Sequence, residues 1–380
     1  MKRIMVFFPT LFLGMIFLKK DASCWDNQQN NSAVIKIAEE QYDGPYVQYI
    51  DRSILVNYVL QNKRGKKVKV ETVGLSKKSN LILNIATDEP GKFFQVRLKE
   101  QLQNENTEFT NVSRQLVLSD IEGNFGGFRK LLQGTGVIDT SFNWTFGNGH
   151  LVLVGDFFDR GEQVTEVLWL IYSLEEKAKA ARGYVHFILG NHEIMNMSGD
   201  FRYVQPKYLE SAALLNMKYE SLYNENTELG RWLRTKNIME NIDSILFIHG
   251  GISAVVNRMN LSAATIDQMA RPWYADTTYQ YPDPKIDTIF TDLGPFWYRG
   301  YYTRSNRITS EQIDSTLSLF DVKHIVTGHT IVADTISVWY NGRILNTDVH
   351  HAGGKSEALL IEENKFYRVD PEGNKVLLQL

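Results

Sequence analysis

The chain has 380 residues, of which 43% are hydrophobic and 22% are charged, a composition that excludes a disordered protein and a coiled coil. Its 41 Lys and Arg nearly balance its 44 Asp and Glu, so no nucleic-acid partner is expected. The single cysteine, Cys24, excludes an intramolecular disulfide and a thiolate zinc cluster.

The first 24 residues have the order of an export signal. Lys2 and Arg3 precede an apolar run of about 15 residues, which is followed by charged residues and then by the small residues before Cys24. The run is short for the roughly 20 residues that span a bilayer. The sequence therefore predicts a signal peptide at 1–24, cleavage near 22–25, and an exported protein, periplasmic or secreted. Lipid attachment at Cys24 is the alternative, and we expect membrane contact only through these features.

A polar linker at 25–34 leads into a predicted β-rich accessory unit at 35–112. Short alternating runs, such as 54–59 and 67–73, are typical of antiparallel strands. Glycine-containing breaks between the runs, such as the one at 64–66, suit hairpin connections. We find no catalytic constellation in this unit.

From residue 113 onwards, apolar strands end in clusters of polar residues. Five runs do so, at 115–119, 150–155, 184–190, 244–248 and 324–328, and they lead into DIEGN, DFFDRG, NHE, HGG and HT. Such strands indicate an α/β fold with sheets covered on both faces, in which ligand groups gather at strand ends. Helices are predicted between the strands, at 125–132, 164–181 and within 207–239.

These clusters offer a mixed set of oxygen and nitrogen donors, Asp120, Glu122, Asp156, Asn191, His249 and His329. The set suits two divalent ions, Mn²⁺ first, with Fe, Zn²⁺ or Mg²⁺ as alternatives. In a two-metal centre one carboxylate bridges ions about 3.5–4 Å apart, and the pair lowers the pKa of a water whose hydroxide attacks phosphorus. Arg160 can hold a phosphate bidentately. His192 can protonate the leaving oxygen while Asp159 supports its ring.

Four blocks of this sequence, GDFFDRG at 155–161, GNHE at 190–193, HGG at 249–251 and GHT at 328–330, resemble the calcineurin-like metallophosphoesterase superfamily, in particular its phosphoprotein phosphatase branch. The stretch GNHEIMNMSGDFRYV at 190–204 is similar to the Shewanella-like protein phosphatases. The resemblance covers about 114–350. It implies a four-layer α/β/β/α sandwich, and we assign the metallophosphoesterase domain to 113–380.

The resemblance also implies a role for each matching residue. The implied metal ligands are Asp120 and the residue at 122 for the first ion, Asp156 as the bridge, and Asn191, His249 and His329 for the second ion. The implied phosphate contacts are Arg160, Asn191 and Arg299. The implied general acid is His192, with Asp159 behind it.

One position departs from the family pattern. The family's first block has Asp-x-His-Gly, whereas this chain has Asp120-Ile-Glu122-Gly. A carboxylate in place of an imidazole would give the first metal site a hard oxygen donor instead of a borderline nitrogen donor, which favours Mn²⁺, Mg²⁺ or Fe over Zn²⁺. It would also add negative charge near an anionic substrate.

Three functions remain open from the sequence. The leading one is phosphomonoester hydrolysis, on phosphotyrosine or on phosphoserine and phosphothreonine in proteins, or on a small phosphorylated molecule. The second is cleavage of a phosphodiester or dinucleoside polyphosphate, with bases stacked on Tyr298, Tyr301 and Tyr302. The third is an exported binding protein that lost its first metal site through Glu122. The presence of His192, Asp159 and Arg160 counts against it, because these residues matter more for turnover than for binding.

Some residues have two interpretations. Arg299 would either hold phosphate or stack on an aromatic wall. Asp200 and Arg202 would either pair with each other or touch the substrate. His350 and His351 could line the cleft, and His186 is predicted to be an ordinary strand residue.

Overall fold

The structure is a computed structural model that describes residues 33–34, 40–303, 305 and 307–380. The predicted signal peptide, Cys24 and most of the predicted linker lie outside the described residues. Ala33 and Val34, which the sequence assigned to the end of the linker, form a short strand that pairs with residues 81–82.

Two small sheets form the N-terminal β unit. Its strands are β1 (Ala33–Val34), β2 (Glu40–Ile50), β3 (Ser53–Asn62), β4 (Gly65–Gly74), β5 (Leu81–Ala86) and β6 (Phe93–Arg97). β3 pairs in antiparallel fashion with β2 and β4, and β5 pairs in the same way with β6, as the alternating runs predicted. The strand β7 (Glu108–Phe109) follows and joins a sheet of the larger part of the chain.

The rest of the chain is built on two six-stranded sheets. Its strands are β8 (Arg114–Leu118), β9 (His150–Val154), β10 (Tyr184–Ile188), β11 (Met239–Ile242), β12 (Ile245–Ile248), β13 (His324–Thr327), β14 (Ser337–Trp339), β15 (Ile344–Asn346), β16 (Ala358–Glu362), β17 (Lys365–Val369) and β18 (Lys375–Leu377). The strand orders are β10-β9-β8-β16-β17-β18 and β14-β15-β13-β12-β11-β7. Parallel pairing of β8 with β9, and of β13 with β12 and β15, brings several carboxyl ends to each sheet's edge.

Helices cover these sheets. They are α1 (Phe125–Gly134), α2 (Val164–Ala180), α3 (Asn191–Ser198), α4 (Pro206–Leu214), α5 (Glu228–Leu233), α6 (Ala254–Arg258), α7 (Ala263–Ala270), α8 (Pro284–Phe290) and α9 (Ser310–Leu319). Among the described residues, no helix has both the length and the apolar character needed to cross a membrane.

Apolar packing produces the layers. Val152 of the first sheet and Phe247 and Val326 of the second are fully buried in one cluster, so the two sheets pack face to face. A second cluster lies under the helices and includes Trp169 of α2. This arrangement confirms the predicted α/β/β/α sandwich with a β-rich N-terminal unit.

The N-terminal unit packs directly on α2. Trp169 donates its indole N–H to the carbonyl of Pro45 at 2.9 Å, and the hydroxyls of Tyr46 and Thr165 lie 3.4 Å apart. Because these residues share one buried cluster with the helices, the unit helps to cover α2. The boundary at residue 112 stays a prediction.

Candidate active site

The polar clusters of the five strands meet at one cleft, although the strands belong to two sheets. Asp120 follows β8, Asp156 follows β9 and Asn191 follows β10, whereas His249 and His329 follow strands β12 and β13 of the second sheet. The site therefore lies where the edges of both sheets come together, in agreement with the tendency of ligand groups to gather at strand ends.

The loops of the site have an unusual backbone. Asp120, Glu122, Asp156, Asp159, Arg160 and His329 all have positive φ, between 50° and 69°. Residues other than glycine rarely adopt this conformation, and it persists only where surrounding contacts enforce it. At Gly155, φ is 83° and an added Cβ would lie 2.6 Å from His249 Nδ1, so only glycine lets the imidazole approach this loop.

Glu193 supplies many of the contacts that hold the loop after β9. Its carboxylate accepts the backbone N–H groups of Asp156, Phe157 and Gly190 at 2.7–2.9 Å, and that of Phe158 at 3.3 Å. The residue is fully buried. The sequence placed Glu193 in the GNHE block without a role, and the structure shows it fixing the backbone that carries Asp156.

Two groups of potential metal ligands share one residue. The first group is Asp156, His249 and His329, and the second is Glu122, Asp156 and His192. Within each group the ligand atoms lie within 4.8 Å of one another. Asp156 Oδ1 accepts the backbone N–H of His192 at 2.9 Å, while Oδ2 lies 3.0 Å from His249 Nε2 and 3.6 Å from His192 Nε2.

The remaining predicted ligands lie beside these groups. Asn191 Oδ1 is 3.0 Å from His249 Nε2, and His249 Nδ1 is 2.7 Å from the carbonyl oxygen of Val154. A partner on Nδ1 leaves Nε2 as the ligand atom, the usual arrangement at metal sites. Asp120 accepts the backbone N–H of His329 at 3.1 Å. The structure thus brings all six predicted ligands together.

Burial and proximity shift the acid-base behaviour of this cluster. Burial raises the pKa of Asp120 to about 6, and nearby Asp156 adds to the effect. Although burial opposes it, the charges of His192 and His249 hold the pKa of Asp156 below its usual range. Burial would lower the pKa of His249, but Asp156 outweighs it and raises that pKa to about 10.

The cleft is a cavity of about 450 Å³. Four acidic residues line it, Asp120, Glu122, Asp156 and Asp348, against the two arginines Arg160 and Arg299. This concentration of carboxyl groups fits the binding of divalent cations, which would offset the charge of the carboxylates for an anionic substrate. His350 and His351 also line the cavity, as the sequence suggested.

His192 is held by Asp159. Its Nδ1 lies 2.5 Å from Asp159 Oδ2, and both side chains are buried. Burial lowers the pKa of His192, but Asp156 and Asp159 together outweigh this effect and raise it. The ring therefore presents Nε2, in a form that favours a proton, on the side of the cavity.

Arg299 donates from Nη1 to the carbonyl of His329 at 2.8 Å and to the hydroxyl of Thr330 at 3.2 Å. These bonds fix its guanidinium at the cavity wall. Arg202 donates to Asp200 at 2.7 Å, so these two residues pair with each other. His186 is a buried strand residue, with Nδ1 2.6 Å from Glu240 Oε2.

Of the three tyrosines proposed as a base-stacking platform, Tyr298 is partly buried and packs edge to face on Tyr301, with ring centroids 5.5 Å apart, and the other two are buried. Tyr301 is fully buried and accepts the backbone N–H of Ile252 at 2.9 Å. Tyr302 is buried as well, and its hydroxyl lies 2.7 Å from Thr327 Oγ1. Neither ring has a free face for a base.

Residues 113–333 match the profile of the calcineurin-like phosphoesterases, and these residues contain every predicted site residue. The chain belongs to the calcineurin-like phosphoesterase family. It is therefore a phosphoesterase, a hydrolase, and its relatives include phosphatases with phosphorylated substrates.

Three comparisons refine this assignment to the calcineurin-like phosphoesterases. The crystal structure of a cold-active protein-tyrosine phosphatase from a psychrophilic Shewanella is similar, with a TM-score of 0.80 and 33% identity over 89% of this chain and 99% of that chain. Shewanella-like protein phosphatase 1 of Plasmodium berghei is 26% identical over 57% of this chain and 60% of its own length. Shewanella-like protein phosphatase 2 of Arabidopsis thaliana is 40% identical over 28% of each chain.

Asp348 is a cavity residue of this phosphoesterase that the sequence analysis missed. It is buried, lines the cavity and follows β15, which runs parallel to β13. Burial and the nearby charge of Asp120 raise its pKa well above the usual range. The signal was the same as at the other five strands, a polar residue after an apolar run, but β15 has only three residues.

Proposed function

We propose that this chain is a dinuclear, Mn²⁺-preferring phosphomonoesterase that hydrolyses phosphotyrosine in proteins. The observation that carries the proposal is the position of Asp156, whose carboxylate belongs to both groups of potential ligands and lies beside the His192–Asp159 pair. A shared carboxylate is the feature expected of a two-metal site.

The donor chemistry fits the ions. Asp156, Asn191, His249 and His329 would hold one ion, and Asp120, Glu122 and Asp156 the other. Carboxylate-rich sites favour hard ions, which supports Mn²⁺. When bound, the ions supply Lewis-acid polarisation of the phosphoryl group and a water of lowered pKa.

His192 is assigned to the leaving group, although it is one of the potential ligands. Its Nδ1 is occupied by Asp159, so Nε2 is the ring nitrogen that remains for the cavity. Two carboxylates raise the pKa of the ring, and a protonated nitrogen cannot bind a cation. As the bond from phosphorus to the ester oxygen breaks, His192 donates its Nε2 proton to that oxygen. The water that adds to phosphorus releases one proton, which balances the proton that His192 has given up.

The arginines would hold the transferred phosphoryl group. Arg160 and Arg299 lie on the cavity wall, and Arg299 is fixed there by its bonds to His329 and Thr330. A guanidinium donates in a planar fork that matches two phosphate oxygens. Their positive charge would offset the charge of the substrate within an acidic cavity.

The position of Tyr203 indicates that the leaving group of the substrate is aromatic. Its ring centroid lies 5.2 Å from that of His192, and the Arg160 guanidinium lies 5.1 Å from it. The side chain is 41% exposed. Because His192 must lie beside the leaving oxygen, an exposed ring next to it can pack against the phenyl group of phosphotyrosine. The similar Shewanella enzyme is named a protein-tyrosine phosphatase.

Export remains part of this proposal. Its support is the basic and apolar order of residues 1–24, with lipid attachment at Cys24 as the alternative. The mass of the mature N-terminus in a bacterial expression host would distinguish cleavage near 22–25 from a diacylated Cys24 and from an uncleaved chain.

The test is a substrate panel on the metal-loaded protein. We expect hydrolysis of p-nitrophenyl phosphate and of a phosphotyrosyl peptide, with little activity on bis(p-nitrophenyl) phosphate. Preference for the diester would overturn the proposal. Tyr203→Ala should lower the preference for the phosphotyrosyl over the matching phosphoseryl peptide by roughly 2–10-fold, the usual worth of an aromatic pair. Tyr279→Ala, which removes another exposed tyrosine, is the matched control. An unchanged preference in Tyr203→Ala would reject the aromatic contact.

A further inference from the structure

Asp159 has a second partner besides His192. Asn196 of α3 donates from Nδ2 to Asp159 Oδ1 at 2.9 Å and to the backbone carbonyl of His192 at 2.8 Å. The hydroxyl of Tyr219 donates in turn to Asn196 Oδ1. A continuous chain of hydrogen bonds therefore runs from Tyr219 through Asn196 and Asp159 to the ring of His192.

The donors and acceptors of this chain fix its direction. Because Asn196 Oδ1 accepts from the tyrosine hydroxyl, both hydrogens of its amide nitrogen are directed at Asp159 and at the His192 carbonyl. Asp159 then has Oδ1 engaged by the amide and Oδ2 engaged by His192 Nδ1. This leaves the carboxylate a single rotamer and the imidazole a single orientation.

All four residues of this hydrogen-bonded chain are shielded from water. Asn196 is fully buried, and Asp159, His192 and Tyr219 are each no more than 5% exposed. Hydrogen bonds in such surroundings are stronger than at a surface, and a lost partner is not replaced by solvent. The orientation of His192 therefore depends on residues that do not touch the cavity.

Tyr219 connects this chain of hydrogen bonds to residues 207–239, the segment between α3 and the start of β11 that we call the helical insertion. It begins a short 3-10 helix at Tyr219–Tyr223, between α4 and α5. Its ring packs edge to face on Phe201, with centroids 5.2 Å apart. The insertion thus contacts the pair of His192 and Asp159 from the side of Asp159, away from the cavity.

We propose that Asn196 and Tyr219 are positioning residues for the general acid. They hold Asp159 so that Nε2 of His192 faces the leaving oxygen. This inference rests on the proposed role of His192, and it assigns to the insertion a part in the chemistry rather than in packing alone.

The experiment measures kcat and KM of the full-length, metal-loaded chain with p-nitrophenyl phosphate and phenyl phosphate. The first has a good leaving group and the second a poor one. Tyr219→Phe and Asn196→Ala should lower kcat on phenyl phosphate by about 10-fold, a fraction of the 10²–10⁴ contributed by a general acid, with little change in KM or on p-nitrophenyl phosphate. Tyr208→Phe is the matched control, because it removes a buried bond of 2.7 Å to the backbone N–H of Val164. An equal loss in Tyr208→Phe would show a packing effect and overturn the proposal.

A double-mutant cycle separates this proposal from the assignment of His192. Tyr219→Phe should have no further effect on phenyl phosphate in the His192→Ala background, because the orientation of an absent ring cannot matter. If the two losses multiply, the positioning role is wrong. If His192→Ala itself affects both esters equally, the general-acid assignment fails first. Tyr219→Phe keeps the ring and its packing, so it tests the chain of bonds even if Asn196→Ala fails to fold.

Discussion

Glu122 and Arg160 form an ion pair at the wall of the cavity. Their loops are tied together by the backbone N–H of Gly161, which donates to the carbonyl of Glu122 at 2.8 Å. The family has histidine at position 122, which cannot neutralise an arginine. The substitution therefore changes the surroundings of Arg160 as well as the donor set for the metals.

Glu122→His should shift the activating ion from Mn²⁺ towards Zn²⁺, because it restores a nitrogen donor and removes one negative charge. Glu122→Ala should lower the bound metal below two ions per chain. The measurement is metal content and activity with Mn²⁺, Mg²⁺, Co²⁺ and Zn²⁺ after chelation. If metal profiles and stoichiometry are unchanged and only KM moves, Glu122 acts solely as the partner of Arg160.

Asp156→Asn should abolish turnover and reduce the bound metal, because the shared carboxylate belongs to both groups of potential ligands. An amide is almost isosteric but carries no charge, so the fold should persist. Metal analysis and circular dichroism on the same sample test both statements. Asp200→Asn, at a carboxylate that pairs with Arg202, is the control. A variant that kept its metals and near-normal activity would show that Asp156 is not the bridge.

Glu193→Gln should lower the free energy of unfolding by about 2–4 kcal/mol, since its amide nitrogen would face buried N–H donors that have no other acceptor. Activity should fall as well, because the same bonds hold the loop of Asp156. Denaturant unfolding and the rate with p-nitrophenyl phosphate provide the measurements. Glu162→Gln, at an exposed position, is the control. Wild-type stability in Glu193→Gln would show that the loop does not depend on this carboxylate.

Local patterns predicted much of this fold. The apolar run and polar end at Asp156 lie within a few residues, so they can be recognised in the sequence. The assignment of strands to sheets depends on contacts far apart in the chain, and the separation of β12 and β13 from β8 came from the family resemblance alone. Asp348 was missed because β15 is too short for a periodic pattern.

Long-range side-chain contacts were the least predictable feature of the site. The bond from Tyr219 to Asn196 joins residues 23 positions apart, and the loop after α3 and the whole of α4 lie between them in the sequence. Nothing in the sequence around Tyr219 distinguishes it from the other tyrosines of the insertion. The ion pair of Glu122 and Arg160 could not be predicted from the sequence either, because it depends on two loops with left-handed backbone that meet at the cavity.

Asp267 should make the stability of the fold depend on pH. It is buried, accepts the backbone N–H of Ile238 at 2.8 Å, and lies 3.3 Å from the hydroxyl of Thr107. Burial raises its pKa from the ordinary 3.8 to about 8, with Glu240 adding to the effect. Between about pH 4 and pH 8 the folded state therefore holds a proton that the unfolded state has released. Stability falls as the pH rises through this window, by up to about 1.4 kcal/mol per pH unit, and the effect levels off above pH 8.

Asp267→Asn should remove this dependence, because an amide is neutral throughout and keeps an oxygen for Ile238. Relative to the wild type, the variant should gain stability as the pH rises from 5 to 8. Denaturant unfolding of both proteins at pH 5, 6.5 and 8 measures the difference. Asp287→Asn, at an exposed carboxylate of α8, controls for the loss of one charge. A constant difference between Asp267→Asn and the wild type across this range would mean that Asp267 does not hold a proton in the fold.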